Sequence, residues 1–104
     1  MVPVMLYITA SSGDEAKRIG RALVEERLAA CANVLPGVTS IYRWQGKVEE
    51  GSEASLILKT TDDKVEAVVA RVKALHSYTC PCVVSLPIAG GNADFLEWIV
   101  QETK

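Results

Sequence analysis

The chain has little of what marks most enzymes, membrane proteins and nucleic-acid-binding proteins. It has one histidine, no glycine-rich phosphate loop and no nucleophile-elbow motif, so we expect it not to be an enzyme. No apolar run approaches the roughly 20 residues that a membrane helix requires. Eleven basic and thirteen acidic side chains give a net charge of -2 without a basic segment, which argues against nucleic-acid binding.

Cysteine is also scarce. Three cysteines among 104 residues cannot all pair within one chain, which favours a reducing compartment over a disulfide-stapled scaffold. The apolar N-terminal segment has no positively charged region and no cleavage-site pattern, so it predicts a strand and not a signal peptide. We therefore expect a cytoplasmic protein, and the length predicts a single domain over residues 1–104.

Hydrophobic periodicity predicts two strand–helix units in the first half of the chain. Alternating residues predict a strand over residues 2–10, and a capping sequence at Ser12 begins a helix that extends to about Leu28. Two extended segments follow, joined by a hairpin turn at Gln45-Gly46, with a kink or bulge at Pro36-Gly37. The acidic stretch 49–53 is expected to interrupt the returning strand as a solvated bulge.

The second half of the chain predicts a helix, a strand and a short last helix. Asp62 or Asp63 is expected to cap the second helix, whose apolar stripe ends at His76. Residues 82–88 predict a buried strand, and Asn92 is expected to cap the last helix. The order β-α-β-β-α-β plus a helix predicts an α+β, ferredoxin-like sandwich with an extra C-terminal helix.

The predicted sheet carries apolar residues on both faces. A two-layer sandwich leaves one face open to water, yet large apolar or aromatic side chains occupy both faces, among them Met5, Tyr7, Tyr42, Trp44 and Ile57. Exposed apolar patches of this size usually form an interface. We therefore predict a homo-oligomer whose subunits join through their sheets or strand edges.

Five segments closely resemble the CutA divalent-cation tolerance proteins. They are Glu-Arg-Leu-Ala-Ala-Cys-Ala-Asn at 26–33, Tyr-Arg-Trp-Gln-Gly-Lys at 42–47, Ile-Leu-Lys-Thr-Thr at 57–61, His-Ser-Tyr at 76–78 with Pro81, and Phe-Leu-Glu-Trp-Ile at 95–99. The resemblance implies a ferredoxin-like homotrimer that binds copper or other divalent cations and takes part in the response of the cell to metal ions. It implies no catalytic activity and no cofactor needed for folding.

The chain departs from this family where the metal ligands are expected. Relatives commonly have a proline, an acidic or amide residue and a glutamate where this chain has Ser77, Thr79 and Cys82. Some bacterial relatives also have a cysteine in the first strand, at the place of Ile8. These differences imply that a metal site in this chain differs from that of its relatives in its ligands and in the metal it prefers.

The segment from His76 to Cys82 holds the densest group of soft metal ligands in the chain. His76 is either a packed histidine at a helix end or a metal ligand. Cys80 and Cys82 lie two apart in an extended segment, so they either present thiolates to Cu(I) or Zn(II) from one face or fill a strand core. We predict a metal site of His76, Cys82 and Cys80, with a fourth zinc ligand from water, Cys31 or a neighbouring subunit.

A second candidate site consists of one cysteine, one lysine and four aromatic residues, namely Cys31, Tyr42, Trp44, Lys59, Tyr78 and Trp98. If they converge at a subunit boundary, they form a cleft suited to a small anion or carboxylate. The alternatives are buried packing for the cysteine, a solvated lysine and aromatic interface anchors. This cleft is the basis of an alternative function, a trimeric scaffold or small-ligand sensor. Glutamates 49, 50 and 53 either bind hard cations or form a solvated loop.

Overall fold

A four-stranded antiparallel sheet packs against two helices in the computed structural model, which describes residues 1–104. The elements are β1 (Pro3–Ala10), α1 (Gly13–Glu25), β2 (Cys31–Trp44), β3 (Lys47–Thr61), α2 (Val65–Leu75), β4 (Val83–Pro87) and α3 (Ala93–Glu102), with a 3-10 turn at Asp62–Lys64. The strand order is β2-β3-β1-β4. These features confirm the predicted ferredoxin-like fold and its additional C-terminal helix. None of the helices has the length and apolar character needed to span a bilayer.

The core lies between the sheet and helices α1 and α2. Every second residue of β1 is buried, as the alternating pattern predicted, because side chains alternate between the two faces of a strand. The core consists of Val4, Leu6, Ile8, Ala10, Ala16, Ile19, Leu23, Ala29, Ala54, Leu56, Leu58, Val68 and Val72. Burial stabilises the fold by about 1.5–3 kcal/mol for each large aliphatic side chain in this set.

The hairpin of β2 and β3 has the predicted turn. Gln45 and Gly46 have φ values of 49° and 80°, the left-handed pair that a tight two-residue hairpin needs. The strand register shifts between Leu35 and Val38, on either side of the predicted kink at Pro36-Gly37. The glycine takes a φ of 76° there, which a residue with a Cβ rarely adopts.

The predicted interruption of β3 at residues 49–53 is wrong. β3 is continuous, and its Glu49, Glu50 and Glu53 pair with residues of β2. The acidic side chains are tolerated because this part of the hairpin projects into solvent, where a charge keeps its hydration while the backbone pairs. The bulge instead falls on the β2 strand.

Two strand and helix boundaries and one cap also differ from the prediction. β4 spans Val83–Pro87 at the edge of the sheet and is largely exposed in the single chain, so the predicted buried strand over residues 82–88 is wrong in its burial. α1 ends at Glu25, three residues early, because Arg27 takes a φ of 60° and the chain turns toward β3. The turn lets the Ala30 N–H donate to the Lys59 carbonyl over 2.8 Å.

Neither Asp62 nor Asp63 caps α2, because both lie in the 3-10 turn that precedes it and the residue before the helix is Lys64, which makes no capping bond. The Asp62 carboxylate instead accepts a hydrogen bond from the Val2 N–H over 2.8 Å.

Two predicted helix caps are confirmed. The Ser12 hydroxyl accepts a hydrogen bond from the Glu15 N–H at the start of α1, and the Asn92 side chain accepts from the Asp94 N–H at the start of α3. Each bond satisfies one of the N–H groups that a helix leaves without an internal partner.

One face of the sheet is uncovered within the single chain. Met5 and Tyr7 of β1, Ile57 of β3, and Val84 and Leu86 of β4 line a shallow apolar concavity of about 290 Å³ on that face. The outer part of the hairpin is also apolar and exposed, with Ile41, Tyr42, Trp44 and Val48. This is the two-faced apolar sheet that the strand patterns predicted.

Candidate ligand and metal site

His76 follows the last residue of α2, and its side chain is completely buried. Nε2 lies 2.7 Å from the carbonyl oxygen of Thr9, and Nδ1 lies 3.0 Å from the main-chain nitrogen of Tyr78. A carbonyl can only accept and an N–H can only donate, so Nε2 carries the proton and Nδ1 accepts. The neutral ring thus uses both nitrogens, as a packed histidine does. A metal ion at either nitrogen would displace one of these bonds.

Glu15 anchors the segment that follows His76. Its Oε1 accepts hydrogen bonds from the Ser11 N–H and hydroxyl, at 2.9 and 2.8 Å, and its Oε2 accepts from the Ser77 N–H at 2.9 Å. Burial by itself raises the pKa of this carboxyl, but the bonds from Ser11 and Ser77 outweigh it and lower the pKa to about 2. The ionised Glu15 therefore joins the start of α1 to the loop after α2.

Tyr78 is positioned by this anchored loop and reaches across to β3. Its ring lies 4.6 Å from the His76 ring, centroid to centroid, and its phenol donates a hydrogen bond to Oε2 of Glu53 over 2.7 Å. Burial, the hydrogen bond to Glu53 and the nearby negative charge raise the pKa of Tyr78 above its usual value. The phenol thus stays protonated and remains a donor.

A cavity of about 690 Å³ opens between this loop and the hairpin. Its volume falls within the range of about 300–1,000 Å³ that is common for small-molecule sites. The lining residues are Thr9, Ser40, Tyr42, Trp44, Glu53, Ser77, Tyr78, Thr79, Cys80 and Cys82. The cavity therefore brings together three predicted cleft aromatics and two predicted metal ligands within one chain.

Cys80 and Cys82 are exposed thiols in this cavity. They lie in the bent segment before β4, which begins at Val83, so the alternative that they fill a strand core is wrong. Partial desolvation by the cavity wall, then the Glu53 charge, raises the pKa of Cys82 although solvent reaches its side chain. No group of three or more histidine, cysteine, aspartate or glutamate side chains in the chain is placed to hold one metal ion.

The other predicted cleft residues lie elsewhere in the chain. Cys31 and Lys59 pair across β2 and β3, and the Lys59 ammonium makes a close hydrogen bond to the side-chain oxygen of Asn33. Trp98 lies on α3, where its ring is 5.4 Å from that of Phe95. Within one chain these residues do not line the cavity, and their meeting at a subunit boundary stays a prediction.

Sequence reasoning missed the two carboxylates that organise the site. The sequence placed Glu15 only in the capping sequence that begins at Ser12, and it placed Glu53 either in a solvated loop or among ligands for hard cations. Each acts through a partner distant in sequence, Ser77 for the first and Tyr78 for the second. A pattern along the chain cannot reveal such pairs.

Comparison with known families gives a match over nearly the whole chain. Residues 4–102 match the model of the CutA1 divalent ion tolerance protein family. The divalent-cation tolerance protein CutA of Thermus thermophilus is 52% identical over 99 residues, which cover 95% of this chain and 96% of that protein. The chloroplastic protein CutA 1 of rice is 41% identical over 97% of this chain, which spans only 57% of the rice protein.

Solved structures agree with the sequence comparison. The Thermus thermophilus structure, described as a divalent cation tolerance protein, has a TM-score of 0.96 at 50% identity and covers 99% of this chain and 100% of that one. The structure from Archaeoglobus fulgidus, described as a periplasmic divalent cation tolerance protein, has a TM-score of 0.96 at 43% identity, covering 99% of this chain and 100% of that one. The resemblance inferred from the sequence motifs is thereby confirmed, and the chain belongs to the CutA1 divalent ion tolerance family.

Proposed function

We propose that the protein is a homotrimeric, non-enzymatic metal-binding protein that contributes to divalent-cation tolerance from the cytoplasm. Membership of a family named for that tolerance supports the cellular role. Relatives described as chloroplastic and periplasmic occur in the same family, so the cytoplasmic location rests on the exposed thiols, which a reducing compartment preserves.

The observation that carries metal binding is the placement of Cys80 and Cys82, two exposed thiols separated by one proline, in one cavity. Two thiolates suit copper as Cu(I), and they suit Zn(II) when water or another subunit completes the shell. The Glu53 carboxylate on the same cavity wall is a further oxygen donor. His76 acts in this proposal by holding the loop, since both its ring nitrogens are hydrogen bonded.

Metal uptake by these thiols depends on pH. A thiol must lose its proton to bind a metal ion, and burial together with the charge of Glu53 raises the pKa of Cys82. We therefore expect metal affinity to increase as the pH rises, and proton release to accompany binding.

The uncovered apolar surfaces support the trimer. The concavity on the open sheet face and the exposed aromatic residues of the hairpin place large apolar side chains in water in a single chain. Association of subunits would remove these surfaces from water and gain about 25 cal/mol for each Å² of apolar area buried. The projecting hairpin also makes the chain elongated, with extents of 44, 25 and 22 Å. A hairpin that projects in this way is able to contact a neighbouring subunit.

A competition titration of the reduced protein with Cu(I) and Zn(II) tests metal binding. We expect stoichiometric uptake by the wild type, loss of uptake in the Cys80→Ser, Cys82→Ser double variant, and retention in Cys31→Ser, the matched control for the remaining thiol. A His76→Ala variant that retains uptake places the histidine outside the ligand set. Uptake by the double variant equal to that of the wild type would overturn the proposal.

A second proposal is that the protein is a trimeric scaffold or small-ligand sensor. The aromatic cavity favours it, because Tyr42, Trp44 and Tyr78 provide three amphipathic walls around one carboxylate. Ligand binding that changes tryptophan fluorescence in the absence of metal supports this function.

A further inference from the structure

The segment that carries the two thiols has no main-chain hydrogen bonds to other main-chain groups. It consists of residues 77–82 between α2 and β4, outside every helix and strand. Three hydrogen bonds to side chains hold it, namely those from the Ser77 N–H to Glu15, from the Tyr78 N–H to His76 and from the Tyr78 phenol to Glu53. All three act on the first two residues of the segment. The placement of Cys80 and Cys82 therefore depends on how residues 77 and 78 are held.

Glu15 is suited to hold this segment because its own carboxylate is fixed. The residue lies in the first turn of α1 and is buried. Its Oε1 accepts from both the N–H and the hydroxyl of Ser11, and the Arg18 guanidinium lies 3.6 Å from Oε2. Oε2 accepts the Ser77 N–H over 2.9 Å. A carboxylate held on its other side cannot move with the loop, so this bond ties the loop to the helix.

These contacts form inside one chain. Glu15 and the side chain of His76 are already buried without any neighbouring subunit. Association of subunits through the open sheet face or the hairpin therefore does not replace the bond between Glu15 and Ser77. The bond holds the loop equally whether water or another subunit completes the shell of a bound metal ion.

We propose that Glu15 is a positioning residue for metal binding, and that its bond to the Ser77 N–H places Cys80 and Cys82 before the metal ion arrives. The inference rests on the proposed metal-binding function and adds to it a residue outside the ligand set. Residues that orient metal ligands from outside the coordination shell commonly change metal affinity by about 10–100-fold when they are replaced. A loop that is ordered in advance also loses less entropy on binding.

Two replacements of Glu15 test this role, with the metal ion alone as the probe. Glu15→Gln has a single acceptor oxygen and cannot serve Ser11 and Ser77 together, whereas Glu15→Asp keeps the charge but is too short to reach both. The reduced proteins are titrated with Cu(I) and with Zn(II) against a competing chelator. Each variant should bind about tenfold more weakly than the wild type, with unchanged stoichiometry.

Two controls separate positioning from a loss of charge or of stability. Asp14→Asn removes a charge from the same helical turn and leaves the bonds to the loop in place. Gly20→Ala should destabilise the same helix through contacts with Ala32 and Leu56, which lie outside the loop. Both controls should retain the metal affinity of the wild type.

Hydrogen exchange of the metal-free proteins shows whether the effect passes through the loop. The Ser77 amide loses its acceptor in both Glu15 variants and should exchange about tenfold faster than in the wild type, as measured by NMR. Gly20→Ala should leave this ratio of Ser77 exchange to the exchange of the β1 amides unchanged, because a global loss of stability accelerates both.

The possible failures are distinguishable. Wild-type affinity in both Glu15 variants, or weaker binding without faster exchange at Ser77, would overturn the positioning role and leave metal binding by the thiols standing. Wild-type affinity in Glu15→Asp alone would assign the effect to charge, and an equal loss in Gly20→Ala would assign it to stability; either result also overturns the positioning role. Absence of metal uptake by the wild type would overturn this inference and the metal-binding function together.

Discussion

The imidazole of His76 donates a hydrogen bond from Nε2 to the carbonyl oxygen of Thr9 over 2.7 Å, which fastens the end of α2 to β1. The same ring accepts from the Tyr78 N–H, so one buried side chain satisfies a polar group on each of two segments. The histidine therefore determines where the cavity wall begins, whether or not a metal ion ever contacts it.

Truncation of the His76 side chain is expected to lower the stability of the fold substantially. His76→Ala leaves the Thr9 carbonyl and the Tyr78 N–H without partners in a partly buried region, and a buried polar group that lacks a partner costs about 1–3 kcal/mol. We expect the free energy of unfolding, measured by urea denaturation, to fall by about 2–4 kcal/mol. Arg71→Ala is the control, since it breaks a bidentate but exposed bond to Glu26 and should have a much smaller effect. Equal losses in the two variants would contradict this account.

The dependence of stability on acidic pH should reveal how much the Glu15 carboxylate stabilises the fold. Its folded-state pKa of about 2 lies below the ordinary value of 4.5, so the stability it provides is complete above pH 4.5 and is lost as the pH falls toward 2. The shift corresponds to about 3 kcal/mol at neutral pH. The wild type should therefore lose stability more steeply than Glu15→Gln between pH 5 and about 2.

Urea unfolding at a series of pH values measures this difference. Glu15→Gln keeps the length of the side chain, and the wild-type-minus-variant comparison cancels the contributions of the other carboxylates. Asp14→Asn, a change in the same helical turn, is the matched control and should follow the wild-type slope. Parallel curves for the wild type and Glu15→Gln would show that folding does not lower the pKa of this carboxyl and would contradict the account.

Gly20 should tolerate no larger residue although it lies within a helix. A Cβ at this position would lie 3.1 Å from both the Ala32 Cβ and the Leu56 Cδ1, which are packed between α1 and the sheet. The overpacking should exceed the gain in helix propensity of about 1 kcal/mol, and Gly20→Ala should lower stability by roughly 1 kcal/mol net. Gly13→Ala has open space around its new methyl group and should be neutral or stabilising in the same thermal melts.

A charge on the uncovered sheet face should separate the subunits of the proposed trimer. Val84 is 51% exposed in the single chain, so Val84→Glu should leave the fold intact and prevent apolar association. Val24→Glu, at an exposed position on α1, is the control for adding a charge to the surface. Sedimentation equilibrium should give three times the 11.2 kDa chain mass for the wild type and Val24→Glu, and a smaller mass for Val84→Glu. A Val84→Glu protein that remains trimeric would place the interface elsewhere.

The fold could be predicted from the sequence because most of its elements show a local pattern of their own. The alternation over β1 and the apolar stripe of α2 arise from side-chain directions that depend only on the backbone, and the turn at Gln45-Gly46 depends only on left-handed φ values. The acidic stretch 49–53 was misjudged because strand pairing in a solvated hairpin does not depend on side-chain polarity.

The candidate site could be predicted only in part, because its organisation depends on contacts between residues that are distant in the sequence. The sequence indicated that residues 76–82 carry the chemistry, and Cys80 and Cys82 do face a cavity. It could not indicate that the His76 nitrogens are occupied by Thr9 and Tyr78, or that the Glu53 carboxylate lines the cavity and accepts a hydrogen bond from Tyr78. Such facts require the tertiary arrangement.

The hydrogen bond from the Ser77 N–H to Glu15 makes two positions 62 residues apart interdependent. CutA relatives commonly have proline where this chain has Ser77, and proline has no N–H to donate. Ser77→Pro alone should therefore remove one hydrogen-bond donor from the ionised Glu15 carboxylate. In a variant with an apolar residue at position 15, the same proline would remove no bond. We therefore expect Ser77→Pro to lower the stability of this chain as long as Glu15 is present.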